Sequence, residues 1–189
     1  MDNKDIVITS AFRTAISSLD GSLSEYSASE LGSFVIKKCM EHSNLQKDDI
    51  DTVYMGQVLQ AGAGQNPARQ SAMKAGIDKS TSATTINQVC GSGLSAISLG
   101  FNSLKLKDTK IVIAGGQESM TNSPHYINFR KDKNLSENKL KDSMIVDGLI
   151  DFYNQYHMGV TAENVAKKFS ISRNDQDLFA YKSQIKTKE

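Results

Sequence analysis

Cys90 stands where an apolar approach, Thr84-Thr85-Ile86-Asn87-Gln88-Val89, meets Gly91-Ser92-Gly93 and then a run to Leu104 too apolar for a surface helix. That order puts a thiol where a buried strand or turn gives way to a helix. Unpaired N–H groups and the positive end of the helix dipole favour the thiolate there. A small cysteine filling a core gap fits the same residues, since cysteine is among the most buried residue types. Cys39 recurs with Leu31, Phe34, Val35 and Met40 at helical intervals and reads as core. His42 closes the polar end of that pattern, and His125 follows Pro124 in a polar stretch. His157 precedes a glycine and a helix start, where side chains often face a cleft. Glu118 and Glu163 offer acid or base groups, but spacing alone pairs neither. No Cys/His spacing suits zinc, and Gly91-Ser92-Gly93 lacks the spacing of a serine-hydrolase elbow. The Gly62/Gly64 loop before Asn66-Pro67 could hold phosphate at a helix N-terminus. Neither Gly-Lys-Ser/Thr nor a dinucleotide fingerprint accompanies it.

Elements must position these groups. Ile6–Ile8 is a continuous apolar triplet, the pattern of a strand covered on both faces. Ser27-Ala28-Ser29-Glu30 has capping-box spacing and opens the helix that carries Cys39. Thr52 to Gln60 is a second β-like run. Asn66 as cap, Pro67 in the first turn and Gly76 at the end bound a short helix. Lys110 to Ala114 reads as a further strand, ending at Gly115-Gly116-Gln117-Glu118. Strands alternating with helices over residues 1–118 indicate a layered α/β domain. In the helix after Cys90, Leu94, Ile97, Leu99, Phe101 and Leu104 surround most of the circumference. Small residues cover the remainder, so the pattern predicts burial on all sides.

Beyond Ser119 the composition shifts. The polar stretch Ser123–Asp142 lacks periodicity and reads as an exposed excursion or the opening of an inserted subdomain. Order returns at Met144–Leu149. Thr161 is placed to cap a helix through Val165 and Phe169, and Ser172 to cap a last helix with Leu178, Phe179 and Ile185. The ending Lys186-Thr187-Lys188-Glu189 has no helix stop and reads as a cut.

Over the 189 residues, 22 Lys and Arg against 21 Asp and Glu give a net charge of +1. Such a balance argues against nucleic acid or an anionic membrane surface as partner. Two cysteines make no disulfide framework. The N-terminus lacks the pattern of a signal peptide, and no stretch is long enough to span a membrane. A soluble cytoplasmic protein is the expectation.

Residues 87–96, Asn-Gln-Val-Cys-Gly-Ser-Gly-Leu-Ser-Ala, closely resemble the nucleophile segment of the thiolases. Four more stretches are similar to that family in the same order. They are Arg13-Thr14, Asn66-Pro67-Ala68-Arg69-Gln70, Ala114 through Met120, and Tyr156 through Asn164. The resemblance implies a thiolase-like α/β fold. Residues 1–118 would form a layered α/β/α core half, and 119–189 the beginning of an inserted loop domain that covers coenzyme A. It further implies Claisen chemistry on 3-oxoacyl-CoA, with Cys90 taking the acyl group as a thioester. Leu149, His157 and Met158 match positions lining the acyl and pantetheine pocket. The Tyr-His-Met-Gly form resembles the short-chain, acetyl-CoA C-acetyltransferase type. Acetyl-CoA, acetoacetyl-CoA and CoA would be the partners, with no metal and no cofactor beyond these substrates. The stretch Pro124–Lys139 matches the loop through which many members tetramerise, and full-length members are homo-oligomers, dimers or tetramers.

The family's activating histidine, oxyanion-hole asparagine and second catalytic cysteine belong to its C-terminal half, outside these residues. Turnover by the 189 residues alone is therefore not expected. The rival expectation is an inactive remnant that binds CoA weakly or associates with another chain. A decarboxylating condensing enzyme on the same fold is disfavoured by Tyr-His-Met-Gly and Thr-Ala-Glu-Asn, which match thiolases.

Overall fold

The computed structural model describes residues 5–131, 133, 136 and 139–188. It divides into two compact units, Met1–Gly148 and Leu149–Glu189.

The first unit is built on a parallel sheet of β1 (Thr52–Gly56), β2 (Ser82–Ile86) and β3 (Val112–Gly116), in the order β2-β1-β3. Thr52 pairs with Ser82 on one side and Val112 on the other, so all three strands start and end level. Helices α1 (Ala28–His42), α2 (Pro67–Lys74) and α3 (Ser92–Lys105) complete the layers. Alternation along the strands decides which helix meets which face. Odd positions Val53, Met55 and Ile113 join Ile36 and Met40 of α1 and Ala68 and Ala72 of α2 in one apolar core. Even positions turn the other way. A side chain at Gly56 would meet Ser92, and Gly100 of α3 lies over Val112 and Ala114. The result is the expected α/β/α layering.

Asp51 sets the register at the start of the sheet. Its Oδ2 accepts from the backbone N–H of Lys110 (2.6 Å) and Ile111 (3.0 Å), and its own N–H donates to the Ile111 carbonyl (3.0 Å). These backbone donors, Ile111 first, hold its carboxyl below the ordinary aspartate range. Helix α1 begins as its sequence demands. Ser27 Oγ accepts from the Glu30 N–H at 3.3 Å, and Glu30 Oε2 accepts from the Ser27 N–H at 2.9 Å.

Three expectations need correction here. Ile6–Ile8 forms no strand: Val7 and Ile8 are 69% and 79% exposed. The segment instead runs beside the end of α1, with Ser10 Oγ donating to the Cys39 carbonyl and Thr9 Oγ1 meeting Ser43 Oγ. A strand exists only where another edge accepts its backbone, and no described strand pairs with this one. The buried stripe of α1 is Ala28, Ser29, Gly32, Ser33, Ile36 and Met40, with Phe34 outside it. Small residues let α1 approach α2, where Ser29 Oγ donates to Gln70 Oε1 and accepts from Lys74 Nζ. Phe34 turns out and packs edge-on against Tyr26, and Cys39 is only partly buried.

The third concerns α3, which is not buried on all sides. Its buried residues are Ser92, Ala96, Gly100 and Ser103, while Leu94 is 74% exposed and Ile97, Leu99 and Phe101 are exposed as well. The small-residue face allows the helix backbone to lie close to the sheet. That choice leaves the large side chains on the outer face.

Two short strands, β4 (His125–Tyr126) and β5 (Lys141–Asp142), pair antiparallel at the base of the polar excursion. Within Pro124–Lys139, positions 132, 134, 135, 137 and 138 lie outside the described residues, as do residues 1–4 and 189. A π-helical segment, Met144–Leu149, follows.

In the second unit, α4 (Met158–Lys168) and α5 (Arg173–Lys188) are joined by a short turn. Ser172 caps α5 as expected, its Oγ accepting from the Asp175 N–H at 3.1 Å. Thr161 does not cap α4. The helix starts earlier, and His157 is its N-cap. Among the described residues, no helix is long and apolar enough to cross a membrane.

Candidate active site

Parallel strands place Gly56, Ile86 and Gly116 at one edge of the sheet. The space outside such carboxyl ends is where open α/β sheets take ligands. The turn 87–91 leaves β2 there and returns as α3, with Cys90 exposed on it as a free thiol. Gly91 N–H donates to the Gln88 carbonyl (3.0 Å) and Ser92 N–H to the Val89 carbonyl (3.1 Å). Val89 has φ 49°. A β-branched residue in this left-handed region stores about 1–3 kcal/mol of strain, which persists only where surrounding contacts hold it.

Side-chain hydrogen bonds hold it there. Asn87 Oδ1 accepts the Val89 N–H (3.0 Å), and Asn87 Nδ2 donates to the Val58 carbonyl (3.4 Å). Ser92 Oγ accepts the Gln88 N–H (2.8 Å) and donates to the Val89 carbonyl (2.6 Å). Gly91, the N-cap of α3, gives no side-chain cap bond, and the first turn carries no acidic residue. No carboxylate of that turn therefore opposes an anion at the helix start.

Glycines seat the helix beneath Cys90. A Cβ at Gly56 would come within 2.6 Å of the Ser92 carbonyl carbon and Cβ, and within 2.8 Å of the Gly93 nitrogen. A Cβ at Gly116 would lie 3.4 Å from Gly93 Cα. Only glycine at 56 lets the start of α3 rest on the end of β1.

Glu118 is committed to structure. Its two oxygens accept the N–H groups of Val58 (2.8 Å) and Leu59 (3.2 Å), tying the loop after β1 to the end of β3. Burial raises its pKa above the ordinary glutamate value, and the two N–H donors pull against that shift. Beside it Gln117 is buried, accepting from Ser71 Oγ (2.5 Å) and donating to Gln57 Oε1 (2.9 Å) and the Pro67 carbonyl (3.3 Å). Glu163 lies exposed on α4.

The phosphate reading of the Gly62/Gly64 loop meets donors already in use. At the start of α2, Ala68 N–H donates to Thr85 Oγ1 (2.9 Å) and Arg69 N–H to Asn66 Oδ1 (3.2 Å). The Arg69 guanidinium is spent on the Thr81 and Lys79 carbonyls. Thus Asn66-Pro67-Ala68-Arg69-Gln70 works as a joint between α2 and β2. Thr14 lines a surface cavity of about 410 Å³ with Leu19, Leu23, Glu118 and Met120, while a second of about 270 Å³ lies near Gln57, Gln70 and Lys74. Cys90 lines neither. No acid, thiol and imidazole cluster among the described residues could hold a metal ion.

His42 packs edge-on against Phe12, and His125 Nε2 lies 3.9 Å from Asp142 Oδ2. Leu149, His157 and Met158 belong to the second unit. There Ile150 bridges antiparallel to His157, and Asp151 N–H donates to the Tyr156 carbonyl (2.9 Å). This closes the loop 150–157 and brings Leu149 alongside Met158. His157 Nδ1 accepts the Gly159 N–H at 3.0 Å.

Residue type alone does not mark Asn87, Val89, Ser92 and Gly56 as the residues that shape the Cys90 turn. Asn two positions before a backbone donor is a readable turn signal. Gly56 offers none, because its neighbour is far away in sequence.

Comparison with known proteins sets this geometry in a family. Residues 6–189 match the model of the thiolase N-terminal domain. An acetyl-CoA acetyltransferase of Cupriavidus necator is 52% identical over 183 residues, covering 96% of this chain and 47% of that protein. A probable acetyl-CoA acetyltransferase of Escherichia coli K12 is 50% identical over 186 residues, 98% of this chain and 47% of its own length. A thiolase of Ascaris suum, solved in complex with coenzyme A, superposes with a TM-score of 0.89 at 37% identity, over 95% of this chain and 47% of that one. The chain thus spans about half the length of the relatives it matches.

Proposed function

The chain belongs to the thiolase family, and on that premise we propose that Cys90 is the acyl carrier of an acetyl-CoA acetyltransferase. One observation carries the reading: an exposed thiol on a strained turn, beyond the carboxyl ends of three parallel strands and at the start of a helix. The Cys90 thiolate attacks the carbonyl of an acyl-CoA thioester. A new C–S bond forms, the bond to the CoA sulfur breaks, and CoA leaves as its thiolate and takes a proton. The backbone N–H of Cys90 stabilises the oxyanion. The α-carbon of a second acetyl-CoA then loses a proton and attacks the thioester. The new C–C bond gives acetoacetyl-CoA as the bond to Cys90 Sγ breaks and the thiolate is restored, or the steps run in reverse.

That second step needs a base. The activating histidine, oxyanion-hole asparagine and second cysteine come from the family's C-terminal half, so these 189 residues carry the acyl group without completing the cycle. CoA thioesters are substrates, and the chemistry takes no further cofactor. Residues 119–189 begin the part that covers CoA, where Leu149, His157 and Met158 line the acyl and pantetheine pocket. The relatives' names and the CoA complex support this substrate class.

The test is acetylation of the chain by acetyl-CoA, followed by peptide mapping. One acetyl group on Cys90 and none on Cys39 is expected, together with no steady-state thiolysis of acetoacetyl-CoA. Acetyl on Cys39, or none on either, would sink the acyl-carrier reading. Sustained turnover would sink the division of labour.

A further inference from the structure

We propose that Ser92 is a positioning residue for Cys90, holding the strained turn that presents the thiol. The inference rests on the acyl-carrier reading and extends it to a residue that touches no substrate. Ser92 is buried at the first position of α3, with its side chain over the end of β1. Its hydroxyl spans the turn from inside, accepting from the N–H of Gln88 (2.8 Å) and donating to the carbonyl of Val89 (2.6 Å). Those two residues immediately precede Cys90. The Val89 N–H is held in turn by Asn87 Oδ1.

Without these contacts Val89 has every reason to leave φ 49°, because an isoleucine- or valine-type side chain is crowded there. Relaxation of Val89 rotates the peptide plane between Val89 and Cys90. That plane carries the Cys90 N–H, so the donor and the thiol move together. Ser92 thereby acts on the reaction through Cys90, and a glycine at 89 would relieve the need for it, since glycine enters the left-handed region freely.

The experiment compares Ser92→Ala, Val89→Gly and the double variant with the unsubstituted chain. It follows iodoacetamide labelling of Cys90 across pH, acetylation by acetyl-CoA, and labelling of Cys39 as a control for the opposite side of the sheet. Ser92→Ala should slow Cys90 acetylation about tenfold and shift the pH profile of its labelling, with Cys39 unchanged. Val89→Gly in that background should recover most of the loss. Equal Cys90 rates in Ser92→Ala and the unsubstituted chain would overturn the proposal, and so would failure of the glycine to restore them. Amide exchange on the unsubstituted chain gives a readout if Ser92→Ala does not fold. A protected Gln88 amide is expected, and a freely exchanging one refutes the clamp. If Cys90 of the unsubstituted chain is alkylated but never acetylated, the acyl-carrier reading fails, while the labelling data still decide the clamp.

Discussion

Gly56→Ala should do more damage than one methyl group suggests. The added Cβ would lie 2.6 Å from two carbon atoms of Ser92 and 2.8 Å from the Gly93 nitrogen. These are backbone atoms and a Cβ, with no flexible side-chain end to swing aside. Ordinary carbon contacts need about 3.5–4.0 Å, so the start of α3 must lift by about 1 Å. Overpacking of this kind costs about 1–3 kcal/mol. For a chain of 189 residues that is a fall in Tm of roughly 2–12 °C, at about 2–4 °C per kcal/mol. The turn 87–91 hangs between β2 and α3, so Cys90 moves away from the strand ends as the helix lifts. A thermal melt and the rate of Cys90 alkylation read the two effects separately. Gly76→Ala is the control. No atom lies within 4 Å of a Cβ there, but φ is +89°, so it should lose about 1 kcal/mol to backbone strain and leave Cys90 labelling alone. Should Gly56→Ala melt and label like the unsubstituted chain, the close seating of α3 on β1 is wrong.

Asp51→Asn should cost about 1 kcal/mol at neutral pH, less than a charged hydrogen bond usually contributes because solvent screens the exposed side chain. Since the folded-state pKa of Asp51 is lowered, its contribution is present above the ordinary aspartate range and lost as pH falls through the folded value. Chemical denaturation of both forms across acid pH should show the gap closing. His157→Ala should weaken α4 by about 1 kcal/mol while His157→Asn retains the cap, measured by amide exchange in the first turn of α4. Replacing Leu94 and Phe101 with lysine should change stability by less than about 0.5 kcal/mol each, because both are exposed. Light scattering should show the doubly substituted chain aggregating less.

The motifs carried most of what the residues reveal about function, and local signals carried the helix starts. The capping box of Ser27 and Glu30, the Asn66 cap before Pro67 and the Ser172 cap all form as read. These interactions close within four residues, so a sequence window contains both partners. Failures came where the partner is remote. Ile6–Ile8 has the composition of a strand, but pairing is decided by an edge elsewhere in the chain. The buried stripe of α1 is rotated from the apolar one because Ser29 and Gly32 face α2, and apolar counting ignores small polar residues that permit close approach. The outer face of α3 illustrates the same limit, since periodicity counts apolar positions without saying which side meets the sheet. His157 had a readable position before a helix, yet the capping role needed the Gly159 N–H in view.

The odd and even positions of β1 and β3 separate two jobs physically. Large apolar side chains fill the space under α1 and α2, whereas α3 rests on glycine, alanine and serine. Little area is removed from water on the α3 side, so most of the cohesive energy lies on the face that does not carry the thiol. Under native conditions α3 should therefore open before α1 and α2, as a unit smaller than global unfolding. The thiol rides on the lightest-anchored layer of the domain. Its reactivity can change through small shifts of that layer while the opposite layer keeps the chain folded.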